Sequence, residues 1–181
     1  MSAAISSIRN VKIFVLYLME NINYPMDFVT INDIVMQTDY VMYLDFAEAF
    51  NEMLDGDLIA EYEVDGDKVY AITEKGSIVA RELKSDILSS ILDKSLTAAL
   101  RYLDFKKRGI VAKCVIEKTD DGKFSVTCTF VEKKKLIFSQ SVVVDTLNRA
   151  ERMRDNFYER PEAIYRGVLA LMAGNVNFLF D

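Results

Sequence analysis

The chain has no histidine and no tryptophan, and only two cysteines, two prolines and seven glycines among its 181 residues. Without histidine the commonest general base and metal ligand is missing, and Ser-His-Asp or Cys-His catalytic units are excluded. Cys114 and Cys128 are too few for a disulfide framework or a zinc site. Scarce proline and modest glycine argue against a disordered linker, and no apolar run reaches the length of a membrane span. The N-terminal stretch MSAAISSIRNVKIFVLYLMENINY has the outline of a signal peptide. Its apolar run is broken by Asn10 and Lys12 and recurs at helical spacing, and no small-residue cleavage site comes after it. A first helix and a cytoplasmic protein are therefore expected. Carboxylate or lysine chemistry is open in principle, but no spacing favours it. The expectation is a protein that is not an enzyme, with no cofactor and no metal.

Positive charge is scarce in one half only. Residues 1–67 hold two basic residues, Arg9 and Lys12, against thirteen acidic ones, a net of −11. Residues 68–181 hold twenty basic and fifteen acidic residues, a net of +5. Such asymmetry suggests two units with different surfaces.

Hydrophobic spacing supplies the elements. Ile8, Val11, Val15, Leu18, Met19 and Ile22 form one helical stripe, ended by Tyr24-Pro25. Thr30 and Asp33 resemble a capping box for a short second helix with Ile31, Ile34 and Val35 inward. A third helix, from about Tyr43 to Asp55, buries Phe46, Phe50, Met53 and Leu54 and stops at Gly56. Two β-rich runs around Asp65-Gly66 signal a tight hairpin, and Thr73 caps a fourth helix. Residues 74–107 are helical, as one helix or two. Their apolar Ile87, Ile91, Leu92, Leu96 and Leu100 form a dimer seam or pack against a β-meander in the second half.

That meander is signalled by a change of period to two. Ile110, Ala112, Cys114 and Ile116 alternate, as do Phe124, Val126, Cys128 and Phe130, and then Leu136, Phe138, Val142 and Val144. This predicts three antiparallel strands with one buried face. A three-residue loop Asp120-Asp121-Gly122 sets Cys114 opposite Cys128 on that face. A helix from about Asp145 to Tyr158 comes next, and another opens at Pro161. Ile164, Tyr165, Val168, Leu169 and Met172 pack the last helix, Gly174 ends it, and an apolar tail NVNFLFD remains. The fold class is α+β: an N-terminal winged helix-turn-helix in residues 1–90, then a helix-linked α+β domain in residues 91–181, with the β-meander and two C-terminal helices.

The segments IFVLYLMENINYPM, FNEMLDGDLIAEYEVDGDKVYAITEKG and AIYRGVLALM resemble a family of uncharacterised Firmicutes proteins, described as winged-helix domains of unknown function and transcriptional regulators. The wing pattern is also similar to the PadR and MarR regulators. The resemblance covers nearly the whole chain. It implies a bacterial DNA-binding homodimer.

The residues themselves complicate that implication. With Phe46, Phe50 and Met53 inward, the third helix exposes Tyr43, Asp45, Glu48, Asn51 and Glu52, and the wing adds Lys68 among acids. A base-reading helix should carry Arg, Lys, Asn or Gln on that face, and phosphate neutralisation supplies most non-specific affinity. These six residues are candidate contacts to DNA or to a basic protein partner. Arg9, Lys12, Lys106, Lys107 and Arg108 are candidate phosphate contacts, the alternative being an ordinary solvated surface. A ligand-sensing reading places an apolar pocket at Phe124, Phe130 and Phe138, the alternative being plain core. A redox pair at Cys114 and Cys128 competes with two cysteines acting as small apolar residues.

Overall fold

A largely buried helix organises the first half of the chain. The structure, a computed structural model, describes residues 5–176. Helix α1 (Ile8–Ile22) starts at Ser7, whose hydroxyl accepts from the Asn10 N–H. Ile13, Phe14 and Leu16 are buried as well as Val11, Val15, Leu18, Met19 and Ile22 of the expected stripe, with Ile8 half-buried, so α1 is a central helix rather than a one-faced one. It ends on Asn23, which takes the left-handed conformation with φ 56°, ahead of Tyr24-Pro25.

Helix α2 (Phe28–Val35) is capped by Asp27, which accepts from the Thr30 N–H at 2.8 Å and from the Thr30 hydroxyl. The Thr30–Asp33 capping box is therefore corrected. Both Asp27 and Thr30 are good N-cap types, and Asp27 lies one turn earlier. Helix α3 (Tyr43–Asp55) buries Phe46, Ala49, Phe50 and Met53. Gly56 stands directly after it, but the left-handed residue is Asp57, φ 56°. Strands β1 (Ile59–Val64) and β2 (Asp67–Ile72) pair antiparallel through a two-residue turn. Asp65 and Gly66 both have positive φ (53° and 88°), the type I′ geometry that matches strand twist. Between α1 and α2, Met26 forms an isolated antiparallel bridge to Tyr70 of β2, with N–O distances of 3.0 and 2.8 Å.

Thr73 caps helix α4 (Glu74–Leu83) by accepting from the Gly76 N–H. A 3-10 turn (Lys84–Asp86) separates it from helix α5 (Ser89–Lys107), so residues 74–107 form two α-helices. Ile87, Ile91, Leu92 and Ala99 are buried in the core that α1 and α3 build. Leu96 packs against that core too, whereas Leu100 is exposed. The Tyr102 hydroxyl donates to Asp33, tying α5 to α2. Burial, and then that hydrogen bond, hold its phenol above the usual range.

The chain divides into two compact units, Met1–Leu103 and Asp104–Asp181. The division falls inside α5, whereas the sequence suggested a boundary at its start.

The second unit is a meander, β3 (Ile110–Lys118), β4 (Phe124–Glu132) and β5 (Lys135–Val144), followed by α6 (Leu147–Glu159) and α7 (Pro161–Met172). Strand order is β3-β4-β5. The β3–β4 register is the expected one, with Cys114 opposite Cys128, and Gly122 is left-handed with φ 81°. Between β4 and β5 the register shifts after Phe130, from Phe130↔Phe138 to Val131↔Leu136. This β-bulge turns Leu136 out to solvent and Ile137 inward, correcting the expected inward Leu136. Phe130 is fully buried, stacked on Phe157 at 4.6 Å with Phe105 and Tyr165 edge-on at 5.7 and 5.4 Å.

Helix α6 lies mainly across β3 and β4. The phenol of Tyr158 on α6 accepts from the Cys114 N–H at 2.8 Å and faces the Cys114 carbonyl. In α7, Ile164, Tyr165 and Val168 are partly buried as expected, but Leu169 is exposed and Met172 is 79% exposed. Glu162 is buried instead, 3.2 Å from Arg166. The first half of α7 carries the packing, and nothing among the described residues covers the end of its stripe. The apolar tail lies, from residue 177 on, outside the described residues. Among the described residues, seven α-helices, a β-hairpin and a three-stranded antiparallel sheet make an α+β protein. No described helix is long and apolar enough to cross a membrane.

Candidate functional site

The start of α3 has an unusual composition for a helix end. Its N-cap is Met42, and no side chain caps it. A Ser, Asp or Asn there is ordinarily worth about 1 kcal/mol, so the position forgoes stability. Met42 is 69% exposed, Tyr43 55% and Leu44 75%, three consecutive large side chains in solvent. Along the same helix Glu48, Asn51, Glu52 and Asp55 are exposed and Asp45 is half-buried. The hairpin adds exposed Tyr62 and Val64, with exposed Glu61, Glu63, Asp65 and Asp67. Exposed apolar side chains thus occur both at the start of α3 and on the hairpin, in each case close in sequence to acids.

The six candidate contacts divide unequally. Tyr43, Glu48, Asn51 and Glu52 are exposed on α3, and Asp45 is partly covered. Lys68 stands on β2, 2.8 Å from Glu61. The Lys68 ammonium and the Tyr70 hydroxyl both hydrogen-bond that carboxylate and lower its pKa, while Glu61 raises that of Lys68.

Three of the five candidate phosphate contacts are engaged by carboxylates too. Arg9 pairs with Asp86 at 2.6 Å, and Lys12 with Glu52 at 2.6 Å. Arg108 makes a two-pronged contact to Glu132, at 3.0 and 3.2 Å. That contact raises the pKa of the guanidinium and lowers that of the carboxylate. Lys106 and Lys107 close α5, where cations complement the helix dipole. Thus Lys68, Arg9, Lys12 and Arg108 all spend their charge on carboxylates of this chain.

Sequence reasoning found the acids and missed the exposed apolar run at the start of α3. Its signal was only partial: Leu44 falls off the stripe of Phe46, Phe50 and Met53, whereas Met42, four residues before Phe46, falls on it and is exposed all the same as the residue before the first turn. The partner of Lys12 was not visible, since Glu52 is 40 residues away.

The meander places its aromatics differently from the pocket expectation. Phe138 lines a cleft with Val126, Cys128, Gln140, Val142, Met153, Asn156, Phe157, Ile164 and Val168. Phe130 is core, and Phe124 packs beside Val126 and Val144. The cysteine sulfurs lie 3.3 Å apart as free thiols. Burial, followed by the Cys114 contact, pushes the Cys128 thiol up to about 12. At that value it behaves as a small apolar residue. No group of three or more metal-ligating side chains occurs among the described residues.

The chain matches no curated protein and no solved structure. Residues 11–172 match the model of a family described as a domain of unknown function, DUF4364, and the chain belongs to that family.

Proposed function

We propose that residues 1–103 form a winged-helix module of a regulatory protein, and that its α3–hairpin face docks on a basic protein surface rather than reading DNA bases. The winged-helix reading rests on element order and on the Met26–Tyr70 bridge. That bridge gives the hairpin a third strand segment between the first two helices, as winged helices have. The likeness to PadR- and MarR-type regulators belongs to this same proposal.

The observation that carries the docking reading is the exposed run Met42-Tyr43-Leu44 at an uncapped helix start within an acidic face. Apolar anchors ringed by charge are how protein interfaces are built. Acids so placed repel phosphate and attract lysine- and arginine-rich partners. Direct DNA reading is the second proposal, favoured by the topology and by the exposed amide of Asn51.

Capture from host extract with the full chain as bait tests both. A basic protein retained by the wild type and lost by Met42→Ser/Leu44→Ser is expected, with the fold of the variant intact or slightly stabilised by the new cap. Equal retention by the variant sinks the docking reading. Binding to DNA fragments that weakens steeply with salt and is lost in Asn51→Ala would establish the second instead. Glu48→Gln/Glu52→Gln should strengthen DNA affinity only if this face approaches phosphate.

A further inference from the structure

The second unit contains two cavities that share a wall. The first is the cleft between the inner face of β4–β5 and helices α6 and α7, about 260 Å³, with an apolar lining. The second, about 430 Å³, is a polar surface depression open to solvent, lined by the exposed Asp145, Thr146, Asn148, Arg149 and Arg152 of α6 and the turn before it. Met153 and Asn156 line both, so the two adjoin along α6.

The apolar part exists because α6 covers β3 and β4 more than β5. Val142 of β5 lines the cleft, and so does Phe138, whose ring also meets Tyr165 of α7 edge-on at 6.4 Å. The polar part carries two guanidiniums and one carboxylate. Arg149 and Arg152 are three residues apart on α6, so they are neighbours on its surface. Asp145 contacts Arg149 at 3.5 Å, with both side chains about two-thirds exposed (70% and 67%). An exposed pair of this kind is weak and readily exchanged. The surplus of one positive charge suits a monoanion better than a dianion. The apolar lining offers few partners to a peptide backbone, whose buried polar groups would go unpaired.

We propose that this compound cleft binds a medium-chain aliphatic carboxylate. Its chain lies against Phe138, Val142, Ile164 and Val168, and its carboxylate reaches Arg149 and Arg152 beyond Met153. Guanidinium forks fit carboxylates in two-pronged geometry, and the buried chain supplies affinity in proportion to its length. The site uses the second unit alone and stands independently of the docking face on α3.

The test is titration calorimetry of the full chain with decanoate below its micelle concentration, with butyrate and decanol in parallel and the protein's mass in solution recorded. Saturable, equimolar decanoate binding is expected, weaker for both butyrate and decanol. Arg149→Gln/Arg152→Gln, two exposed positions that do not threaten the fold, should weaken it by about tenfold or more. Val142→Phe should weaken it by filling the cleft. No saturable binding overturns the proposal. So does decanol binding as well as decanoate, or an unchanged double variant, since either removes the carboxylate from the account. A dimer that Met153→Arg disperses would show that a second copy fills the cleft, which also overturns it.

Discussion

A methyl group at position 76 would lie 2.1 Å from the Leu58 carbonyl oxygen and 2.8 Å from a side-chain carbon of Ile72. That oxygen cannot retreat easily, because it accepts from the Thr73 N–H and the Thr73 hydroxyl. Gly76 is thus fixed by close approach of backbone to backbone where α4 leaves the hairpin. Gly76→Ala should cost about 3 kcal/mol, read as a lower urea midpoint; a loss of a few tenths would mean the α4 start relaxes freely. A second residue sets an acid limb. The Thr119 hydroxyl, and then Lys123, hold Asp121 at about 2, below its ordinary 3.8. A lowered carboxyl stabilises the fold above its unfolded pKa, and the contribution vanishes as pH falls through the folded value. The window therefore runs from about pH 4 down to about pH 2. Asp121→Asn should flatten the stability curve there and leave neutral pH unchanged in slope, as followed by thermal melting across a pH series.

At the scale of elements, what the sequence discloses depends on which periodicity is in play. The β3–β4 register was legible because parity and the left-handed Gly122 fix it together. The β4–β5 bulge was not, because one inserted residue leaves the runs on either side looking regular. Helical stripes told which residues of α5 are buried but not against what. Ile91 and Leu92 fit a dimer seam, a sheet or the first core equally well, and the core is where they are. On α7 the stripe overstated burial, since amphipathicity does not ensure a cover for Leu169 and Met172. The β4–β5 turn carries its own prediction. Lys133 and Lys134 both have positive φ, 47° and 69°, a type I′ turn without the Asn-Gly that suits it. Lys134→Gly should therefore stabilise the protein by about 0.5–1 kcal/mol, seen as a raised melting temperature. A drop instead would assign that lysine a contact worth more than the strain.

At the scale of the molecule, composition was read correctly as uneven, with the acids gathered before residue 68. What it could not disclose was how the few nearby cations are used. Arg9 and Lys12 meet Asp86 and Glu52, pairings that exist only once distant segments meet, and Lys68 meets Glu61 across its own hairpin. The proposed docking surface was half legible for the same reason. Charge is written in the chain, whereas exposure of Met42 and Leu44 is a property of the packed unit.

The phenol of Tyr158 adds a consequence for how copies of this protein behave in concentrated solution. β3 is an edge strand, and a bare edge is a template on which another chain can add a strand. Tyr158 occupies both polar backbone groups of Cys114 near the middle of that edge, acting as a plug against edge-to-edge stacking. Tyr158→Phe keeps the ring and removes the plug. It should aggregate faster on warming at concentrations where the wild type stays clear, with light scattering rising before any loss of helical signal. Helix α6 thus covers, with one hydroxyl, the middle of one open edge of the sheet.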